Sequence, residues 1–123
     1  MEKSYKDLEI YKNGLSLFLK VHSASLLLPK YELYELGSQI RRSADSVITN
    51  IVEGYGRKRY KADFIKFLTY SQASNLETVN HLDKLIQLYP QFSEQLIPIQ
   101  NEYEKLGAQI YTFIKYVEIN WRT

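Results

Sequence analysis

Between Ser38 and Lys61, six basic residues (Arg41, Arg42, Arg57, Lys58, Arg59, Lys61) stand against two acids, Asp45 and Glu53. This local excess of four positive charges is larger than the net +2 of the whole 123-residue chain, so the remainder is net acidic. Tyr55 and Tyr60 are interleaved with the last four cations, in a chain that holds 11 Tyr in all. Cations neutralise phosphates and aromatic rings stack on unpaired bases, so the pattern suits RNA or single-stranded DNA. Phosphate contacts carry little sequence information, and any preference must come from shape or stacking. The alternative is a solvated helix face held by local ion pairs, such as Arg41 with Asp45 at i+4.

Other chemistries find less material. With no Cys there is no disulfide, thiolate metal site or cysteine nucleophile. His22 and His81 lack a third zinc ligand and an HExxH motif. Glu77 and His81 are four apart, where a di-iron bundle needs Glu-x-x-His on two helices. Gly54-Tyr55-Gly56 lacks the strand, further glycines and Lys-Ser/Thr of a phosphate-binding loop. The expectation is a protein that is not an enzyme, with no catalytic residues, no metal and no cofactor.

The elements that position these residues follow from three breaks, at Leu28-Pro29-Lys30, Glu53-Gly54-Tyr55-Gly56-Arg57 and Tyr89-Pro90-Gln91-Phe92-Ser93. Ser93 is placed to cap the helix after the third. Between the breaks, apolar residues recur at intervals of three and four, as in Leu33, Leu36, Ile40, Ala44, Val47 and Ile51. The spacing predicts one all-α domain over 1–123, an antiparallel up-down-up-down bundle with helices over 8–28, 32–54, 61–88 and 93–121. Ser71, Asn75 and Thr78 fall on the apolar side of the third helix, where small polar groups bonded to neighbours let helices approach closely. Hydrophobic residues at 45 % and charged residues at 24 % suit a globular domain. No run reaches membrane-spanning length and the N-terminus lacks a signal peptide's apolar segment, so the expectation is a cytoplasmic protein.

The first helix carries two apolar stripes. Leu8, Tyr11, Leu15, Phe18, His22 and Leu26 are expected to face the core, with His22 hydrogen-bonded there or at an interface. Ile10, Leu17, Val21, Ala24 and Leu28 gather on nearly the opposite side over roughly 27 Å. An apolar back of this length predicts an interface between copies, unless the helix is covered by its own chain.

On the second helix Arg42, Ser46, Thr49 and Glu53 share the side away from the apolar stripe, flanked by Gln39 and Asn50. The run Gln39-Ile40-Arg41-Arg42-Ser43-Ala44, then Ser46 and Asn50-Ile51-Val52-Glu53-Gly54-Tyr55-Gly56-Arg57, then Phe64-Ile65-Lys66-Phe67-Leu68, resembles the signature of bacterial four-helix-bundle proteins encoded in 23S rRNA intervening sequences. Tyr5-Lys6-Asp7-Leu8-Glu9-Ile10-Tyr11 extends the likeness over almost the whole chain. More distantly, the chain is similar to the accessory variability proteins of diversity-generating retroelements. The resemblance implies a small bundle in a ring-shaped homopentamer, with recurrent polar positions at Arg41, Arg42, Ser46, Asn50, Glu53, Gly54, Gly56 and Arg57. Ile48-Thr49 and Val52 depart from the family pattern, and the Lys58-Arg59-Tyr60-Lys61 loop is more basic and lacks a Ser/Thr cap.

Together these features predict a nucleic-acid site at Arg41, Arg42, Tyr55, Arg57, Lys58, Arg59, Tyr60 and Lys61. Asp45, Ser46, Asn50, Glu53, Gly54 and Gly56 would support it, with Glu53 fixing an arginine and Asn50 tying the helix end to the loop. The alternative is a scaffold whose polar second-helix face docks a protein partner such as a polymerase.

Overall fold

Ile40, Ala44, Val47 and Ile51, three and four residues apart, are each no more than 2 % exposed, as one face of a helix requires. The same periodicity organises the rest of the chain. The computed structural model describes residues 4–122, with α1 (Glu9–Ser25), α2 (Leu36–Gly56), α3 (Lys61–Leu88) and α4 (Ser93–Asn120). Short 3-10 turns at Tyr5–Asp7, Lys30–Leu33 and Pro90–Phe92 complete it. Each helix packs on its neighbours in sequence and α4 closes back on α1, giving the antiparallel bundle. Phe64, Leu68, Leu82 and Leu85 of α3 meet Tyr103, Leu106, Ile110 and Val117 of α4 in the core. Among the described residues no helix is long and apolar enough to cross a membrane.

α1 reverses the expected assignment of its two faces. Ile10, Leu17, Val21, Ala24 and Leu28, expected at an interface between copies, are 2–9 % exposed and belong to the core. The reason is Gly14. With it the stripe runs 10, 14, 17, 21, 24 and 28, an unbroken alternation of fours and threes. Gly14 fills the seven-residue interval between Ile10 and Leu17, and a Cβ there would lie 2.7 Å from Ile48 Cγ2, so its smallness brings α1 against α2. Of the other stripe, Leu8 is in the core as expected and Tyr11 and Phe18 pack half-buried against it, with Leu15 also half-buried, while Leu19 at 56 %, Leu26 at 60 % and His22 are exposed.

The polar stripe of α3 is mostly satisfied. Ser71 Oγ donates to the Val47 carbonyl at 2.7 Å and Thr78 Oγ1 to Ser43 Oγ at 2.8 Å, while Asn75 Nδ2 is buried without a partner. Ser93 is the first residue of α4 rather than its cap, and its hydroxyl donates to the Pro90 carbonyl at 2.7 Å.

Candidate nucleic-acid interface

The turn between α2 and α3 is short and tightly braced. Gly54 lets α3 approach, since a Cβ there would already sit 3.3 Å from Phe64 and Phe67. Gly56 ends α2, with open space where its side chain would be. The C-terminal end of α4 holds the turn from the other side. Trp121 Nε1 donates to the Lys58 carbonyl at 2.7 Å, and the Trp121 ring lies edge-on to Phe64 at 5.2 Å.

On this scaffold the cations of the turn are seated on aromatic rings. Lys58 Nζ stands 3.7 Å from the centre of Tyr55, Arg57 lies 4.8 Å over Phe67, and Arg59 lies 5.9 Å over Tyr60. Arg57 is further flanked by Glu53 and Asp63, each at 3.8 Å, and its side chain remains 50 % exposed. Arg59 and Tyr60 are exposed. No side chain caps α3, whose N-cap is Tyr60. Phe67 is braced edge-on by Tyr70 and Tyr55 packs against the core, so Arg57 and Lys58 rest on rings the fold holds, whereas the Tyr60 ring under Arg59 is 57 % exposed.

Phe67, Asp63 and Trp121 were not among the predicted site residues. Phe67 and Trp121 are spaced as core residues, and Asp63 gives no sign in the sequence that it turns back onto Arg57.

The other predicted site residues go elsewhere. Arg42 lies 15 positions before Arg57, about 22 Å along α2, and donates to Ser38 Oγ at 3.2 Å. Arg41 is a structural residue. Its guanidinium donates to the Leu33 carbonyl at 2.6 Å and to Ser25 Oγ at 3.0 Å, tying α1 and the Lys30–Leu33 turn to α2. Asp45 does not take it up, and instead sits 3.5 Å from the Thr49 hydroxyl. Beside Arg41, the buried Glu32 accepts from Tyr89 at 2.6 Å and from the Leu36 backbone at 3.3 Å. The hydrogen bond to Glu32 raises the pKa of Tyr89 well above the ordinary tyrosine value, and the bond with Tyr31 adds to it. Gly37 makes the cluster possible, since a Cβ there would overlap the Glu32 carbonyl oxygen.

Ser46 and Asn50 are turned toward α3 rather than toward the loop: Ser46 bonds Ser74 at 2.8 Å and Asn50 reaches back to the Ser46 carbonyl at 2.9 Å. Lys61 caps α4, donating to the Glu118 carbonyl at 2.6 Å, where the helix end favours a cation. The predicted patch therefore divides. Tyr55, Arg57, Lys58, Arg59 and Tyr60 come together at one end of the bundle, with Lys61 beside them.

Fold and site together define a small four-helix bundle with a cation-on-aromatic cluster at one end. The family model for "23S rRNA-intervening sequence protein" matches residues 6–112, and the chain belongs to that family. Comparison with curated proteins returned no match.

Proposed function

We propose that this protein is a non-enzymatic, cytoplasmic, homo-oligomeric bundle that binds RNA through the α2–α3 turn. The supporting observation is the set of three cation–aromatic pairs at one end of the fold, built on Tyr55, Tyr60 and Phe67. Lys58 and Arg59 supply phosphate contacts, Tyr60 and Tyr55 offer faces to unpaired bases, and Glu53 with Asp63 holds Arg57 in place.

Self-association is supported by the outward apolar stripe of α1, centred on Leu15, Phe18, Leu19 and Leu26. A closed ring, fivefold as the family resemblance implies, would place several turns within reach of one RNA. Individually weak contacts would then combine, because each later contact is intramolecular.

Fluorescence anisotropy with a labelled single-stranded RNA tests the site. Log affinity should fall with log salt at a slope of about −1.4 for each engaged subunit, taking the phosphate contacts of Lys58 and Arg59. A Lys58→Ala/Arg59→Ala variant should lose most of this affinity, and RNA that fails to bind at low salt would end the proposal. Light scattering tests the assembly: Leu19→Asp and Leu26→Asp should lower the mass, and an unchanged mass would remove α1 from the interface.

A further inference from the structure

The α3–α4 side of the bundle carries a second feature, unconnected to the α2–α3 turn. An open groove of about 1300 Å³ runs between the two helices. Its volume exceeds the usual 300–1,000 Å³ of small-molecule pockets. From Thr69 to Asp83 its α3 wall extends roughly 21 Å, four helical turns. Glu77, Asp83 and Glu104 line it and no Lys or Arg does, in a chain that is net basic.

Two observations make the groove more than an acidic surface. Apolar side chains line it, Leu76 at 71 % exposed with Ala73 and Val79 beside it, and two more share the Glu104 face of α4 at seven-residue spacing: Ile97 at 42 % exposed and Tyr111 at 54 %, the latter with Lys115 over its ring. Asn75, 3 % exposed, lines the groove, and its side-chain nitrogen, enclosed as the carboxamide stands, finds no acceptor among the described residues. Its Oδ1 lies over Gly107, where a Cβ would stand 2.9 Å away. A half-turn of the carboxamide exchanges oxygen and nitrogen and presents the free donor at the gap that Gly107 leaves.

We propose that this groove docks a cationic amphipathic α-helix of another protein. Such a helix sets apolar residues at i, i+3, i+4 and i+7 on Leu76, Ile97 and Tyr111, and its Lys or Arg against Asp83 and Glu104, since Glu77 already holds His81 at 3.1 Å. A carbonyl group on it accepts from Asn75. The charge that suits a basic helix repels RNA phosphates, so the two surfaces take different partners. A second copy of this chain fits less well. The outward stripe of α1 is apolar, but its flanking Lys12 and Lys20 are already paired with Glu9 and Glu102.

The test uses a labelled 18-residue synthetic helix of Leu and Lys in that spacing, and a twin with Glu in place of Lys. The Lys peptide should bind the intact protein at micromolar concentration and the Glu peptide should not. Leu76→Ser should weaken binding about tenfold. Asp83→Lys/Glu104→Lys should reverse the preference between the peptides. All three positions are exposed, so the fold is kept, and circular dichroism checks it. Lys-peptide binding that is absent, or unchanged in both variants, overturns the proposal. A fall in light-scattering mass for Leu76→Ser would also overturn it, by assigning the groove to a second copy.

Discussion

Arg41 lies near the start of α2 and Arg57 just past its end, 16 residues on, at opposite ends of the bundle. At the first end the guanidinium is drawn inward by the Leu33 carbonyl and Ser25, in a cluster closed by Glu32 and Tyr89. At the second end Arg57, Lys58 and Arg59 find aromatic faces, and the two carboxylates that flank Arg57, on Glu53 and Asp63, are themselves half-exposed. Acceptors buried within the fold turn an arginine into a brace, whereas rings and half-exposed carboxylates leave it at the surface.

Glycine substitutions should separate the two ends most strongly. Gly37→Ala forces a methyl group onto the Glu32 carbonyl and should cost about 3 kcal/mol in urea denaturation, the upper range for overpacking. Gly56→Ala meets open space and should raise stability by about 0.5 kcal/mol. Equal effects would erase the distinction between a closed and an open end.

Arginine truncation sharpens it. Arg41→Ala leaves the Leu33 carbonyl and Ser25 without their charged donor and should cost about 2 kcal/mol. Arg59→Ala, on an exposed side chain, should stay within about 0.5 kcal/mol of the parent. In RNA binding the order should invert, with Arg59→Ala several-fold weaker and Arg41→Ala, where it stays folded, little changed.

A smaller effect is expected from pH. Tyr89 and Tyr103 both hold their protons above the ordinary tyrosine value of 10, Tyr89 chiefly through Glu32 and Tyr103 through burial. Unfolding frees them to ionise, so their contribution is complete below pH 10 and is lost as pH rises toward the raised folded values. Urea midpoints measured from pH 8 to 11 should fall at the alkaline end, and less steeply in Tyr89→Phe.

The bundle was legible because helical periodicity is local: spacing alone placed α3 at its observed bounds and α2 and α4 within a few residues of theirs. The faces of α1 were not legible, because a glycine inside an apolar stripe reads as an interruption until the helix it admits is seen. Nor could the sequence divide its cations. Arg41 looks as free as Arg57 until the chain folds, since its acceptors lie 8 and 16 residues away and Tyr89 approaches from the far end of α3. The basic-aromatic run from Tyr55 to Lys61 was legible as a cluster, while its supports at Phe67, Asp63 and Trp121 come from elements whose spacing signals only packing.

Ultraviolet crosslinking of a bound single-stranded RNA, followed by mass spectrometry of the peptide adducts, asks directly which end of α2 meets the ligand. Adducts on the segment from Tyr55 to Phe67, and none around Arg41 and Arg42, are the result this account predicts. Adducts confined to the Arg41 end, or RNA that crosslinks nowhere on the protein, would contradict it.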